Sequence, residues 1–303
     1  MFMNFKTLFL GCLVSTYSFA VCNQLELDRD LPTTGFRHPS SMAASWFEFH
    51  HSASDVITVP THEATLNAKF SYGPLHKDLE DEDVEIWLDN CANQLTFLGV
   101  FKTDSDGRVR LTLDPSELPG LGAYQIWMRV TGDNTTTHFM LNILRPQTPI
   151  AVFDIDGTLN HGELNWEPRI GAVETTHVNK DSGREVIYLS GRHYFLTRMT
   201  RNFLREHSFA EGSLIVGQSL QDVIPVDAGV GEYKTHYLKY LQGLGLVLER
   251  GYGDRKTDVH SYQEVQIPND KIFILGENGG FNGTVALGED FLGHLKELAQ
   301  QPI

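Results

Sequence analysis

Cysteine is scarce in this sequence, since its 303 residues contain only three. Cys12 lies within an apolar segment at the N-terminus, which leaves Cys22 and Cys91 in the rest of the chain. Neither has the neighbouring histidine or second cysteine that a zinc site requires, so we expect no cysteine-based metal site. The sequence is compatible with a Cys22–Cys91 disulfide in an oxidising compartment, and equally with two unrelated thiols.

Basic side chains are also few. The chain has 24 lysines and arginines against 39 acidic residues, and its formal net charge is −15 at pH 7. Proteins that bind nucleic acids or anionic surfaces in general need a basic face. We therefore expect no nucleic-acid partner, although a local basic pocket is compatible with this charge. The sequence does not predict the oligomeric state.

Long apolar runs are missing outside the N-terminus. Lys6 precedes a short apolar stretch over residues 7–14, and Ser18 and Ala20 are small residues at the positions that a signal peptidase reads. This pattern predicts a signal peptide over residues 1–20, too short to span a bilayer and cleaved after Ala20. The alternative is a lipoprotein anchored through Cys22, which the bulky Val21 disfavours. We expect a secreted or periplasmic protein.

The N-terminal half, residues 24–147, has the pattern of an all-β domain. Alternating or β-branched segments recur at 64–72, 84–88, 95–101, 109–113, 123–130 and 138–144, with turn residues between them. This spacing predicts an antiparallel sandwich. The hairpin around Gly107 resembles those of immunoglobulin-like and transthyretin-like modules. Asp104 and Asp106 offer too few ligands for a calcium loop, so we expect a solvated turn there.

Residues 148–303 have the alternating pattern of an α/β domain. Predicted strands at 150–154, 186–190, 213–217, 246–250 and 271–275 are separated by helical segments, including one at 193–207. Such alternation predicts a Rossmann-like parallel sheet covered by helices on both faces.

Two acids follow the first strand of this half, in the segment Asp154-Ile155-Asp156-Gly157-Thr158. In open α/β sheets, ligands bind at the carboxyl ends of strands. Two carboxylates at that position are costly to bury without protons or a cation to compensate them. A site that binds a cation or carries out acid–base chemistry is therefore predicted here.

This segment resembles the first motif of the haloacid dehalogenase superfamily of phosphotransferases. Ser190 resembles the second motif, Lys234 the third, and Gly253-Asp254-x-x-x-Asp258 the fourth. The resemblance implies a nucleophile, Asp154, that forms an aspartyl-phosphate, and a general acid and base, Asp156. It implies Mg²⁺ as cofactor, held by the side chains of Asp154, Asp254 and Asp258 and by the backbone carbonyl of Asp156. The expected phosphate-binding residues are Thr158, Ser190, Gly191, Arg192 and Lys234.

A narrower resemblance covers roughly residues 150–285. The segments 188–192 (Tyr-Leu-Ser-Gly-Arg) and 251–254 (Gly-Tyr-Gly-Asp) are similar to those of the lipin/Nir phosphatidate-phosphatase-like domain. In lipins this domain implies a Mg²⁺-dependent phosphatidate phosphatase. In membrane-associated phosphatidylinositol-transfer proteins it implies a non-catalytic module that binds phosphatidate.

Only a short segment, from Leu159 after the first motif to Ser190 in the second, separates these two motifs. This segment leaves little room for a cap domain. We therefore expect a capless, open site that suits a lipid headgroup at a membrane surface. The leading hypothesis is an exported Mg²⁺-dependent phosphatase acting on phosphatidic acid or a related lipid phosphate, with peripheral membrane contact. The alternatives are a non-catalytic phosphatidate-binding module and a secreted acid phosphatase for small phosphomonoesters.

Overall fold

The structure, a computed structural model, describes residues 31–90, 94–162, 165–217 and 230–299. The predicted signal peptide and the residues Cys22 and Cys91 lie outside the described residues. The division at residues 147–148 was predicted from two prolines, Pro146 and Pro149, and the structure has a short turn there between two strands of different sheets.

The N-terminal half is built from strands after one short helix, α1 (Pro39–Ala44). The strands are β1 (Val56–Thr58), β2 (Ala64–Lys69), β3 (Ser71–Tyr72), β4 (Lys77–Asp78), β5 (Asp83–Asp89), β6 (Leu95–Lys102), β7 (Arg108–Leu113), β8 (Gly122–Val130) and β9 (Thr136–Ile143). A five-stranded sheet has the order β1-β9-β8-β5-β6, and β2 pairs with β7 in a second sheet.

The two sheets enclose one apolar core. Alternate residues of β5, such as Val84 and Ile86, are buried, and they share a core with Leu66 of β2 and with Phe70, which directly follows β2. This is the inward and outward alternation that a strand with one buried face requires. The predicted β-rich half is thus confirmed, with β1 as a strand that the pattern did not predict. Asp104 accepts the backbone N–H groups of Asp106 and Arg108 at 2.9 Å each, so it caps an exposed turn.

The C-terminal half alternates strands and helices. Its elements are β10 (Pro149–Phe153), β11 (Asn160–Gly162), β12 (Asn165–Pro168), α2 (Ala172–Asp181), β13 (Glu185–Ser190), α3 (Thr197–Glu206), β14 (Ser213–Val216), α4 (Val230–Gly243), β15 (Val247–Gly253), α5 (Lys256–Glu264), β16 (Ile272–Leu275), β17 (Val285–Gly288) and α6 (Leu292–Leu298). Six strands form one sheet of order β14-β13-β10-β15-β16-β17, and all of its pairs are parallel.

Neighbouring residues of the central strand β10 serve two different cores. Ile150 and Val152 pack on one face of the sheet, while Ala151 and Phe153 pack on the other. Strands covered on both faces read as continuous apolar runs, which is why this half was predictable. Two details differ from the prediction. Strand β15 continues to Gly253, and β17 had no predicted counterpart.

The segment after β10 contains only a small hairpin, β11 and β12, before α2. This is in line with the predicted lack of a cap at that point. Residues 218–229, between β14 and α4, lie outside the described residues.

The sandwich is joined to the edge of the parallel sheet by Asp55, which is fully buried. Its backbone N–H donates to the Leu214 carbonyl at 3.0 Å, and its carboxylate accepts the N–H of Leu214 at 2.6 Å. The same carboxylate accepts the N–H of Met140 at 2.7 Å and pairs with Arg201. Ile57 from the sandwich also packs in the core beneath β10, so the two halves share a continuous interior.

No helix within the described parts of the chain is long and apolar enough to cross a membrane.

Candidate phosphate and metal site

The predicted motif residues meet at the carboxyl ends of the central strands. Asp154 follows β10 directly and donates its backbone N–H to the Tyr252 carbonyl at 2.9 Å, which continues the strand pairing by one residue. Gly157 has a φ of +83°, and a Cβ atom there would lie 2.0 Å from Oδ2 of Asp254. A glycine is therefore required for the turn and for the close approach of the fourth-motif carboxylate.

Lys234 on α4 links two of these acids. Its buried ammonium group donates to Oδ1 of Asp154 at 2.5 Å and to Oδ1 of Asp258 at 2.6 Å. Burial alone lowers the pKa of Lys234, but the carboxylates of Asp154 and Asp258 outweigh that effect and raise it above its ordinary value. The cation is therefore fixed beside Asp154 at every physiological pH.

Asp258 has a structural task in addition. Its Oδ2 accepts the backbone N–H groups of Asp254 at 3.2 Å and Arg255 at 3.0 Å, so it caps the first turn of α5. The neighbouring Gly253 makes this possible, since a Cβ atom there would lie 2.5 Å from Cβ of Asp258. Both oxygens of Asp258 thus have protein partners before any ligand binds.

The carboxylates form a group that fits a hard divalent cation. One oxygen atom from each of Asp154, Asp254 and Asp258 lies within 4.8 Å of the others. Burial, with the neighbouring acids, raises the pKa of Asp154 to about 7 and that of Asp254 to about 6. A cation would offset this crowding of negative charge, and Mg²⁺ prefers oxygen ligands of this kind.

Two hydroxyl groups predicted to bind phosphate lie in the same region. Thr158 is fully buried and donates from Oγ1 to Oδ2 of Asp154 at 2.9 Å. Ser190 at the end of β13 accepts the backbone N–H of Arg192 at 3.2 Å. Gly191, which lies between Ser190 and Arg192 in the second-motif turn, is partly exposed.

Arg192 does not lie free beside the site, because it forms a two-pronged pair with Asp156. Its Nε donates to Oδ2 of Asp156 at 2.7 Å, and its Nη2 donates to Oδ1 at 2.6 Å. Nη1 donates to Thr200 at 3.0 Å, and the guanidinium carbon lies 3.9 Å from the centre of the Trp166 ring. The sequence pattern assigned proton transfer to Asp156 and phosphate binding to Arg192. In the structure the two side chains are instead paired with each other.

Two further residues shape the first motif and were not predicted. Asn160 is buried, and its Oδ1 accepts the N–H groups of Gly157 at 3.1 Å and Gly162 at 3.0 Å. Arg169 donates from Nε to the Gly157 carbonyl at 2.9 Å. An asparagine just after a glycine turn is a known turn stabiliser, so Asn160 carried a usable signal, whereas Arg169 did not.

Both halves of the chain match domains that have been described in one group of proteins. Residues 49–143 match the family model for the beta-sandwich domain of PITM 1-3, and residues 151–276 match the model for the LNS2 domain of PITM 1-3. The chain is similar to PITM 1-3 over both halves. This confirms the predicted β-rich domain followed by a lipin/Nir-like domain, and it favours the transfer-protein branch. The broader haloacid dehalogenase assignment stays a prediction.

Comparison with individual proteins gives the same result as the family models. Protein retinal degeneration B of Drosophila melanogaster is 33% identical over 260 residues, which covers 82% of this chain and 20% of that protein. Human membrane-associated phosphatidylinositol transfer protein 1 is 28% identical over 235 residues, covering 75% of this chain and 18% of that protein. The chain therefore spans about a fifth of the length of these relatives. The solved structure of PhoD aligns with a TM-score of 0.29 at 10% identity, over 46% of this chain and 26% of that one, which is too weak to support a comparison.

Proposed function

We propose that this chain binds the phosphate group of phosphatidic acid, or of a closely related lipid phosphate, without hydrolysing it. The site would lie at the carboxyl end of the parallel sheet, between the turns that carry Asp154 and Ser190. The relatives named for membrane association and phosphatidylinositol transfer support a lipid ligand and peripheral membrane contact. The observation that carries the proposal is the pair between Asp156 and Arg192.

Hydrolysis of a phosphomonoester requires a group that gives a proton to the leaving oxygen and later takes one from water. Asp156 is the residue that the motif assigns to this task. Both of its oxygens accept N–H groups from Arg192, and both side chains are buried. Proton transfer through Asp156 would first require one of its bonds to this buried guanidinium to break, which is costly.

The rest of the site is suited to holding a phosphate. Lys234 provides a fixed positive charge, and Thr158 and Ser190 provide hydroxyl groups on adjacent strand ends. We assign Mg²⁺ to the carboxylates of Asp154, Asp254 and Asp258 and to the Asp156 carbonyl. When bound, Mg²⁺ would neutralise these acids and supply positive charge to the phosphate oxygens.

Export of the chain, directed by a signal peptide over residues 1–20, stays a prediction.

Hydrolysis through Asp154 is the second candidate. It is favoured by the complete acid set, because the nucleophile position, both fourth-motif acids and Lys234 lie together. Turnover would require Arg192 to release Asp156 when substrate binds. The third hypothesis, an enzyme for small soluble phosphomonoesters, has no support from the lipid-related names of the relatives.

The test combines binding and turnover on the full chain. Vesicles of phosphatidylcholine with and without phosphatidic acid measure binding, with Mg²⁺ or with a chelator. Phosphate release is measured from phosphatidic acid in mixed micelles and from an aryl phosphate. We expect Mg²⁺-dependent binding to phosphatidic acid and no phosphate release from either ester.

Two variants of the same helix make the binding result specific. Lys234→Met should weaken binding to phosphatidic acid about tenfold or more, because it removes a buried charge-assisted contact. Lys239→Met, on the exposed part of α4, should leave binding unchanged. Release that Asp154→Asn abolishes would establish the second candidate instead. Equal binding to vesicles with and without phosphatidic acid would overturn the lipid-phosphate site.

A further inference from the structure

Large apolar side chains are exposed along one edge of the molecule where its two halves meet. Leu75 is 91% exposed, Trp46 is 77% exposed and Phe47 is 60% exposed. Phe195 and Met199 from the C-terminal half are also exposed. We call these five residues the apolar edge. A concentration of exposed aromatic and aliphatic side chains of this kind is typical of an interaction surface.

Contacts within the sandwich bring the first three residues together. The backbone N–H of Gly73 donates to the Glu48 carbonyl at 2.8 Å, which joins the segment after Phe47 to the turn that carries Leu75. The Phe47 side chain also packs directly on Gly73, 3.4 Å from the position of a Cβ atom there.

Contacts between the two halves add the other residues. The ring of His76, next to Leu75, stacks on Phe195 with 4.9 Å between ring centres. Arg198, which precedes Met199 in the first turn of α3, pairs with Glu48 at 2.5 Å. It also lies 5.4 Å from the centre of the Phe49 ring. The apolar edge is thus a surface to which both halves contribute.

The apolar edge is connected along the chain to the candidate phosphate site. The second-motif turn, residues 190–192, leads into a single 3-10 turn at Tyr194–Leu196, so Phe195 is three positions from Arg192. A phospholipid whose phosphate is bound at the strand ends must have its acyl chains in a bilayer close by. The chain connection through residues 192–195 makes the apolar edge a candidate for that contact with the bilayer.

The charges around the apolar edge are locally balanced, although the whole chain carries a net charge of −15. Lys69 pairs with Asp78, Arg198 pairs with Glu48, and Lys77 pairs with Glu80. His50, His76 and His193 add further rings to this surface, with His50 against His76 and His193 stacked on Phe195. A neutral, aromatic-rich surface in an acidic protein suits the headgroup region of a bilayer better than a charged protein partner.

We propose that the apolar edge inserts into the outer layer of a phospholipid bilayer, with Trp46, Phe47 and Leu75 of the sandwich as its anchors. This inference rests on the proposed function, since it assigns the surface through which the lipid phosphate reaches its site. It gives the sandwich a direct part in membrane contact.

Quenching of tryptophan emission tests this directly on the full chain. The chain has four tryptophans, of which Trp127 is buried and Trp46 is highly exposed. Vesicles of phosphatidylcholine and phosphatidic acid with brominated acyl chains should quench the emission of Trp46. Trp46→Phe should keep vesicle binding and lose that quenching, because phenylalanine is still apolar.

Removing an anchor should weaken binding to the vesicles. Leu75→Ser and Phe47→Ser should each lower the vesicle partition coefficient about threefold to tenfold. Val100→Ser is the matched control, since Val100 is also exposed but lies on β6, the outer strand of the sandwich sheet. It should leave the partition coefficient unchanged.

Binding of a short-chain, water-soluble phosphatidic acid, measured by calorimetry, separates this inference from the proposed function. Leu75→Ser should bind the soluble lipid as the unmodified chain does. If Leu75→Ser and Phe47→Ser bind vesicles normally, or if they only abolish self-association of the chain, the inference fails while the phosphate site stands. If the unmodified chain inserts but does not bind the soluble lipid, the proposed function fails and the membrane surface stands.

Discussion

The buried pair between Asp156 and Arg192 is the contact between two residues on which the proposed function rests. A buried ion pair of this kind costs free energy to desolvate, and removing one partner leaves an uncompensated charge. In this structure the pair holds the second-motif turn against the first-motif turn, which gives it a structural role. The sequence pattern alone assigns both residues to the substrate, since a pattern gives the order of residues and not which side chains meet across adjacent strands.

A double-mutant cycle measures this pair. Arg192→Gln should lower the free energy of unfolding by about 3–5 kcal/mol, because it leaves the Asp156 carboxylate buried without its partner. Adding Asp156→Asn should recover part of that loss, as measured by urea denaturation. Arg37→Gln is the control, since it breaks an exposed pair with Asp83 and should change stability far less. Additive losses from the two substitutions would show that the residues are not coupled.

His51 should make the sandwich sensitive to acid. Its ring contacts those of Phe49, Phe70 and Tyr72, and burial lowers its pKa to about 3. In the unfolded chain its pKa is about 6.5, so the unfolded state takes up a proton first as the pH falls. Stability is therefore complete above pH about 6.5 and declines from there towards pH 3, by about 1.4 kcal/mol for each pH unit.

Urea denaturation of the unmodified chain and of His51→Gln tests this. At pH 7.5 the variant should be less stable, because it loses the contacts of the ring. Between pH 6.5 and 4.5 the unmodified chain should lose about 2–3 kcal/mol more than the variant does. His138 and His294 also have lowered pKa values and act in both proteins alike. Parallel pH profiles for the two proteins would contradict this role of His51.

At the scale of elements, the buried strands were predictable from the sequence, whereas the residues at which they end were not always predictable. Strand β10 and its motif were visible because a fully buried parallel strand is a continuous apolar run that ends in polar residues. The extension of β15 to Gly253 was hidden, since Gly251 and Gly253 resemble a loop in sequence. In the structure those glycines admit Tyr262 and Asp258, whose side chains lie where Cβ atoms would be. The fourth-motif acid is therefore placed by a strand and not by a flexible loop.

Asp55 holds the edge strand β14 to the sandwich. Its carboxylate accepts the N–H groups of Met140 and Leu214 and pairs with Arg201, and it is fully buried. Asp55→Ala leaves all of these donors without an acceptor, so the free energy of unfolding should fall by about 3–5 kcal/mol. Amide hydrogen exchange should show faster opening at β14 first. Glu80→Ala, which removes an exposed pair with Lys77, should have far less effect on stability. An equal effect of the two substitutions would contradict the role of Asp55.

At the scale of the whole molecule, the two halves behave as one structure because they share an interior. Ile57 and Val59 of the sandwich pack in the same core as Ile150 and Val152 of β10. The sequence predicted two domains with a proline-containing linker, which was correct for the order of elements. It could not predict their joint core, because a contact between Ile57 and the parallel sheet has no local sequence pattern. The shared core is what fixes the apolar edge relative to the phosphate site.

This arrangement predicts a single unfolding transition for the chain. Helices α2–α6 report on the C-terminal half through far-ultraviolet circular dichroism. In a Trp166→Phe background the remaining tryptophans, Trp46, Trp87 and Trp127, report on the sandwich through their emission. The two signals should change at the same urea concentration.

Ile57→Ala should lower both urea midpoints together, because it opens a cavity in the shared core. The expected loss in the free energy of unfolding is about 2–5 kcal/mol. Val100→Ala at an exposed position should shift the midpoints little. Separate transitions in the two signals would mean that the halves fold independently, and the apolar edge would then not be held rigidly beside the strand ends.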